Sequence, residues 1–262
     1  MKKKSCAFVL AAALAVLGAP SARADWTGVH VGLYAGGGFG VAPSTTAAAA
    51  NSNATHNYTP FDTANLGTVN AAGIEEVHPG GGTFGVAAGY DKQFGKLLVG
   101  VEADGGLFST TGTSSNTFRY PDVNSIFTIS QTVSTDWLTT ARPRIGWLPS
   151  DDLLFYLTGG VAATNFKYNA AFSDNFAQTH GLGPAAESSA VSKTAVGWTV
   201  GTGLEFKLVG KLTFKAEYLH AEFGRINSTG VLSVNGGAFV NTFTHTASLS
   251  EDILRIGINR RF

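Results

Sequence analysis

The sequence predicts an all-β fold, an eight-stranded antiparallel β-barrel that crosses a membrane. Three observations predict it. Apolar and polar residues alternate in eight segments, short and long connectors alternate between those segments, and charged residues make up only 14% of the chain. Soluble domains carry roughly 25% charged residues. Strict alternation is typical of strands, because a helix repeats its apolar positions about every 3.6 residues.

The amino-terminal segment has the pattern of a secretory signal peptide. Three lysines and an apolar run precede Ala22 and Ala24, which form a small-residue cleavage site before Asp25. A membrane anchor is the alternative, but the run is far shorter than the roughly 20 residues that span a bilayer. We therefore expect residues 1–24 to be cleaved and residues 25–262 to form one barrel domain.

Composition excludes several classes of protein. The single cysteine, Cys6, lies in the expected signal peptide, so the mature chain has no disulfide framework. Removing residues 1–24 leaves 14 basic against 18 acidic residues, a formal net charge of −4. Nucleic-acid-binding domains are usually basic, so we expect no nucleic-acid partner. No later run reaches 18 apolar residues, which excludes a transmembrane helix.

The first alternating segment shows the pattern that the other seven repeat. Val29, Val31 and Leu33 alternate with His30 and Gly32, so one face is apolar and the other is small or polar. The eight predicted strands cover residues 27–41, 82–94, 97–109, 135–148, 153–166, 194–207, 212–225 and 248–262.

The connectors alternate in length. Three are short, around Gly95 and Lys96, at 149–152 and at 208–211. Bacterial outer-membrane barrels have short periplasmic turns and longer extracellular loops. We therefore expect an outer-membrane location, with both ends of the mature chain on the periplasmic side. The four long extracellular loops are predicted at 42–81, 110–134, 167–193 and 226–247.

The lipid environment explains which face of each strand points outward. Lipid offers no hydrogen bonds, so a closed barrel turns its apolar face to the lipid and its polar face inward. A soluble eight-stranded barrel, the alternative, has its apolar face inside. Glycine and charge on the second face favour the membrane barrel, as do aromatic residues near the strand ends, which we expect in two interfacial girdles. These are Trp26, Tyr90, Phe94, Trp137, Trp147, Phe155, Trp198, Phe206 and Tyr218.

Five parts of the chain resemble one family, the small porin-like outer-membrane proteins of alphaproteobacteria. They are DWTGVHVGLYAGGGFG, GYDKQFGKLLVGVEADGG, TARPRIGWLPSDDLLFYLTGGVA, VGWTVGTGLEFKL with LTFKAEYLH, and RIGINRRF. This family is called the outer membrane immunogenic protein family, and its barrel is OmpA-like. The resemblance covers nearly all of the mature chain except the four predicted loops.

The resemblance implies an assembly signal at the carboxyl terminus. Proteins of this kind end in a phenylalanine that follows alternating apolar residues, and the barrel assembly machinery recognises that pattern. The implied signal comprises Arg255, Gly257, Ile258, Arg260 and Phe262. Arg260 departs from the pattern, which usually has tyrosine or another apolar residue there, so we expect weaker or species-tuned recognition. Other expected partners are outer-membrane lipids and lipopolysaccharide, the latter bound through rim charges.

The inward face of the predicted strands collects charged residues. An eight-stranded barrel has an interior just wide enough for side chains to fill it, and buried charges there must pair. This cluster is interpreted first as a structural plug of ion pairs; a narrow polar pore and an acid–base catalytic pair are the alternatives. Its members are Asp91, Glu102, Asp104, Arg142, Arg144, Glu205, Lys215, Glu217 and Arg255.

The sequence predicts no metal site, no cofactor and no enzymatic activity. The six histidines show no metal-ligand spacing, and the GxGxxG match at 80–85 is followed by a strand where a dinucleotide site needs a helix. No GxSxG motif is present. A lipid-modifying enzyme using His220 and Glu222 is the least favoured function. We predict an integral outer-membrane protein contributing to envelope structure and surface exposure, with a narrow porin as the alternative.

Overall fold

The computed structural model describes residues 26–49, 61, 63–179, 181, 183, 185–234 and 239–262. The expected signal peptide, with Ala22, Ala24 and Asp25, lies outside these residues. No helix in the described part of the chain is long and apolar enough to cross a membrane. The elements are β1 (Gly28–Ala48), α1 (Thr63–Ala72), β2 (Ile74–Val77), β3 (Gly80–Phe94), β4 (Leu97–Arg119), β5 (Ile126–Ser134), β6 (Trp137–Ser150), β7 (Leu153–Asp174), α2 (Phe176–Thr179), β8 (Ala185–Lys207), β9 (Leu212–Val234) and β10 (Phe239–Arg261).

Eight of these strands close an antiparallel ring. The order around the barrel is β1, β3, β4, β6, β7, β8, β9 and β10, and β10 returns to β1 with Leu33 opposite Ile258. The predicted antiparallel barrel is therefore confirmed, with eight strands around the ring and ten strands in the described sheet instead of the eight predicted. A closed ring leaves no strand edge in the lipid, where an unpaired backbone group would cost several kcal/mol.

Two extra strands lie at the end far from the short turns. The short strand β2 pairs with the outer end of β1, where Ala42 lies opposite Val77. Strand β5 precedes β6 and takes its place between β4 and β7 beyond the break at Thr135 and Asp136. The sheet therefore continues past the ends of the predicted strands, although β8 and β9 pair with each other only as far as Gly197 and Phe223.

Three of the predicted loops are largely strand, which corrects the prediction at 110–134, 167–193 and 226–247. Strands β4, β8, β9 and β10 each run for 23 residues, and β7 runs for 22. Their Ser- and Thr-rich composition suggested loops. Threonine is β-branched and favours strands, however, and buried aromatics such as Phe127 and Phe172 alternate with the hydroxyl residues. The fourth connector also contains α1 and β2.

An apolar belt surrounds the half of the barrel next to the short turns. Leu33, Val101, Leu157 and Ile256 point outward there, each 57–62% exposed. On β10 the belt runs over 254–262, and the outward residues that follow it, at alternate positions of 242–252, are polar. We call the part of the barrel within the belt the membrane half and the part beyond it the outer half.

The predicted aromatic girdles are present at most positions but not at Trp26. Tyr90, Trp147 and Trp198 are exposed on the outside of the barrel. Trp26 is fully buried, and its indole Nε1 donates a hydrogen bond to the Asp151 carbonyl at 3.0 Å. It precedes β1 and closes the bottom of the lumen, which strand parity alone does not show.

The interior is layered along the barrel axis. A small apolar cluster, including Trp26 and Leu98, fills the short-turn end. The charged residues come next, and a larger apolar cluster with Phe108 and Phe223 lies above them. An aromatic cluster with Phe172 and Phe243 fills the outer end. The lumen is thus packed with side chains at each level.

Candidate functional site: the charged layer of the lumen

The structure brings all nine predicted charged residues together in the lumen of the membrane half. Each of them is at most 6% exposed. They lie on β3, β4, β6, β8, β9 and β10, so the cluster joins strands from all sides of the barrel. Alternation places them inward because each faces the same way as its buried neighbours two positions along the strand.

Arg142 lies at the centre of this cluster. Its guanidinium contacts Asp104 at 2.7 Å, Glu102 at 3.0 Å and Glu217 at 3.2 Å. Arg255 reaches two of the same carboxylates from β10, Glu217 at 2.6 Å and Asp104 at 2.9 Å. Two guanidinium groups therefore share a set of carboxylates across the lumen.

Arg144 and Arg261 form a second group nearer the short turns. Arg144 forms a bidentate ion pair with Asp91, in which Nε contacts Oδ1 at 2.8 Å and Nη2 contacts Oδ2. It also contacts Glu205 at 2.7 Å. Arg261 contacts Asp91 at 2.9 Å and Glu205 at 3.0 Å. Each of these carboxylates therefore binds two arginines, which offsets the cost of removing its charge from water.

Lys215 and His30 connect the two groups through Glu102. The Lys215 ammonium lies 2.5 Å from Glu102 and 3.3 Å from Glu217. His30 Nε2 lies 3.1 Å from Glu102. Glu205 is opposite Lys215 in register, as the sequence indicated, but its ion pairs are with arginines. The network therefore holds five carboxylates and five Lys or Arg side chains, together with His30.

Three aromatic rings line the network. The Arg255 guanidinium lies 4.2 Å from the centre of the Tyr34 ring, and that of Arg261 lies 4.5 Å from the Trp26 ring. Tyr156 donates a hydrogen bond to Glu217 at 2.9 Å. Stacking of arginine on aromatic faces adds to the ion pairs, by about 2 kcal/mol or more where water is excluded.

Glycines on neighbouring strands make room for these rings. A Cβ added at Gly85 would come 2.4 Å from the Tyr34 hydroxyl, and one at Gly203 would come equally close to the Tyr156 ring. Any larger residue at these two positions would force the packed rings to move. The glycine-rich inward face of the sequence is explained by this crowding.

Four members of the network were not among the predicted residues. They are His30, Tyr34, Tyr156 and Arg261, which share the inward parity of the predicted charges. Parity would have identified Arg261, which lies three inward positions after Arg255 on the same strand. Tyr34 and Tyr156 are uncharged, so the sequence offers no reason to include them, and only the packing of the lumen shows that they contact the network.

The carboxy-terminal residues lie on both faces of β10. Arg255 belongs to the charged network, whereas Ile258 and Phe262 are exposed on the belt, at 52% and 60%. Gly257 lies against the Leu33 carbonyl of β1. Arg260 faces outward, and its guanidinium lies 5.3 Å from the Phe262 ring.

The outward histidine of β9 pairs with a different acid from the one that the sequence suggested. His220 Nδ1 lies 2.9 Å from Asp252, while Glu222 is opposite Ser250 in register. Tyr218 also donates to Asp252. Among the described residues, no group of three or more His, Cys, Asp or Glu side chains is placed to hold a metal ion.

Comparisons with known proteins agree with this architecture. The model of the outer membrane protein beta-barrel domain family matches residues 8–262. The 31 kDa outer-membrane immunogenic protein of Brucella melitensis biotype 1 (strain ATCC 23456 / CCUG 17765 / NCTC 10094 / 16M) is 28% identical over 93% of this chain and 87% of its own length. The 25 kDa outer-membrane immunogenic protein of Brucella abortus biovar 1 (strain 9-941) is 24% identical over 78% of this chain and 68% of its own length.

Solved structures include further outer-membrane barrels. The outer membrane protein OprG from Pseudomonas aeruginosa covers 92% of this chain and 100% of its own, with 10% identity and a TM-score of 0.40. Neisserial surface protein A covers 88% of this chain and 97% of its own, with 13% identity and a TM-score of 0.32. The resemblance drawn from the sequence is confirmed by the family match and the relatives. The chain belongs to the outer membrane protein beta-barrel domain family and is an integral β-barrel protein of the outer membrane.

Proposed function

We propose that the protein is a closed structural barrel that anchors a surface-exposed β-sheet projection in the outer membrane. The observation that carries this proposal is the balanced ion-pair network across the lumen of the membrane half. Arg142 alone contacts three carboxylates, and no charged member is left without a partner of opposite charge. In an open pore, water solvates the charged side chains, whereas here each charged side chain contacts a side chain of opposite charge.

The layers on either side of the network support the same proposal. Trp26 and Leu98 lie below it, and Phe108 and Phe223 lie above it, all of them fully buried. A hydrated ion would have to displace apolar side chains as well as break ion pairs. A narrow porin is the second candidate, and the polar character of the membrane-half lumen is the observation that favours it.

Planar-bilayer recording of refolded residues 25–262 distinguishes these two functions. We expect a silent barrel, both for the wild type and for Lys167→Met, a control outside the lumen. Steady openings whose size changes in Glu102→Gln would establish a pore through the charged layer and contradict the proposal. Circular dichroism confirms that each preparation contains folded β-structure.

We propose a non-enzymatic role for the same protein. The two relatives above are named as immunogenic outer-membrane proteins, and neither name describes an enzyme. The pair of His220 and Asp252 lies on the outer surface at the upper edge of the belt, where an acyl ester of a lipid would be in reach. Release of fatty acid from lipopolysaccharide bilayers that is lost in His220→Gln would contradict this role.

We propose lipopolysaccharide and the barrel assembly machinery as partners. Arg225 is exposed on the outward face of β9 in the outer half, close to the belt, where lipid phosphates would lie. The outward Ile258 and Phe262 would be accessible to an assembly factor before the barrel closes. Deletion of Phe262 should reduce the amount of barrel in the outer membrane, measured by membrane fractionation, and normal assembly would contradict the assembly signal.

A further inference from the structure

Four strands of the outer half carry a regular array of mostly hydroxyl side chains on their outward face. It occupies alternate positions of 111–117 on β4, 128–134 on β5, 167–173 on β7 and 186–192 on β8. The ladders align them in four rows of four, for example Thr113, Thr132, Asn169 and Ala190. Eleven of the sixteen are Ser or Thr, and none is buried. We call this array the hydroxyl wall.

The hydroxyl wall has the chemistry of a sugar surface. Thr113 and Thr132 lie 2.9 Å apart between hydroxyl oxygens, and so do Thr117 and Thr128. A hydroxyl has one donor and two acceptor sites, so each pair still presents a free O–H and free lone pairs to the outside. Because threonine has few χ1 rotamers, these groups lose little entropy when a partner binds.

The position of the wall determines what can lie beside it. On β4 it begins at Thr111, four residues past the last belt residue Leu107. It then extends six residues along the strands, roughly 20 Å. Since the belt contacts the acyl chains, the wall faces the layer directly above them. In the outer leaflet that layer is made of the saccharides attached to lipid.

The charge of the wall also fits an uncharged partner. Lys167 is its only ionisable member, and its ammonium lies 2.5 Å from Asp136. The opposite side of the outer half differs, because the exposed apolar Val231 and Val240 interrupt its hydroxyl residues. That side nevertheless has one matching pair, Thr229 opposite Thr244.

We propose that the hydroxyl wall binds the saccharide chain of lipopolysaccharide molecules that surround the barrel. Repeated hydroxyl pairs, about 5 Å apart across strands and about 7 Å along them, offer successive sugar units equivalent donors and acceptors. This inference rests on the proposed function, in which the outer half projects at the cell surface. In this arrangement the hydroxyl wall binds the sugars of lipopolysaccharide, and the charged residues near the belt bind its phosphates.

The test uses the full mature barrel, residues 25–262, refolded in detergent. The probe is the soluble polysaccharide released from lipopolysaccharide, which lacks lipid A, and its affinity is measured by calorimetry. The variant replaces Thr113, Thr117, Thr128 and Thr132 by valine, which keeps the β-branched shape and removes four hydroxyls. The matched control replaces Thr229 and Thr244 by valine on the opposite side.

We expect the fourfold variant to bind the polysaccharide at least tenfold more weakly and the control to bind like the wild type. Equal affinity of variant and wild type would overturn the proposal. So would loss of binding to lipid A vesicles with unchanged polysaccharide binding, which would point to phosphate recognition. Self-association of the wild type that the variant abolishes would instead identify a second copy as the occupant. Bilayer conductance is recorded separately, so an open pore would contradict the closed barrel without affecting this result.

Discussion

The two halves of the barrel have opposite polarity. In the membrane half, apolar residues such as Leu33 and Ile256 point outward and a network of charges fills the lumen. In the outer half, hydroxyl residues such as Thr113 point outward and aromatic rings fill the interior, with Phe172 and Phe243 4.7 Å apart between ring centres. Six strands, β1, β4, β7, β8, β9 and β10, run through both halves, so the difference reflects what surrounds each half.

This inversion shows that the surrounding solvent decides which face of a strand is apolar. Lipid accepts no hydrogen bonds, so the membrane half turns its charges inward and pairs them. Water solvates hydroxyls, so the outer half follows the rule of a soluble barrel and buries its apolar face. Strand β9 switches parity near this boundary: Phe223 and Ile226 both point inward, with Gly224 as an extra residue between the paired positions.

The largest expected effect comes from removing one centre of the charged network. Arg142→Met should lower the free energy of unfolding by about 3–5 kcal/mol, because Asp104, Glu102 and Glu217 lose a shared cation in a buried site. Urea-induced unfolding of the barrel in lipid vesicles measures it.

A matched substitution in the outer half provides the control. Lys167→Met removes an ion pair with Asp136 on the surface, where both side chains are more than a third exposed. The midpoint of urea-induced unfolding should stay close to that of the wild type, since exposed ion pairs contribute little to stability. Equal losses in both variants would mean that the lumen pairs are solvated, and the contrast between the halves would fail.

Placing the same charge on the outside of each half should give an intermediate effect. Leu33→Lys lies in the middle of the belt, and we expect a loss of about 2–4 kcal/mol, as for lysine at the bilayer midplane. Thr113→Lys is on the hydroxyl wall, where water solvates the ammonium, so little change is expected. Unfolding in vesicles compares the two variants. A similar cost at both positions would place Thr113 inside the lipid and move the edge of the belt outward.

Local alternation was sufficient to predict the membrane half. The eight strands, the short turns and the inward set of charges follow from a period of two, and the structure gathers all nine predicted residues in one layer. The ion pairs themselves were less predictable. Lys215 binds Glu102 from β4 rather than its neighbour in register, Glu205, because contacts across a narrow lumen depend on three-dimensional packing.

The outer half was misread for a physical reason. Its segments are rich in Ser, Thr, Asn and Ala, which is also the composition of loops. The inward aromatic residues Phe127, Phe172 and Phe243 are far apart in the sequence, so they form no local pattern. The pairing of β5 with β7 brings Phe127 and Phe172 together, and Phe243 reaches Phe172 from β10. Sequence alternation without knowledge of the partner strands therefore underestimates strand length outside the lipid.

The smallest expected effect is a pH dependence in the aromatic interior of the outer half. Burial raises the pKa of the Asp174 carboxyl above its usual range, although hydrogen bonds from the Tyr120 hydroxyl at 2.8 Å and the Phe176 amide at 3.1 Å act against this. A raised pKa in the folded state means that the protonated carboxyl is the one that stabilises the fold. This contribution is complete below the ordinary aspartate pKa of about 4 and is lost as the pH rises through the folded value. Asp174→Asn, which cannot ionise, should therefore gain stability relative to the wild type as the pH rises from about 4 to neutral. Unfolding midpoints across that pH range, with Asp122→Asn as an exposed control, measure it. A constant difference between Asp174→Asn and the wild type would show that water solvates the Asp174 carboxyl, and the contrast between the aromatic interior of the outer half and its hydroxyl exterior would then fail at this position.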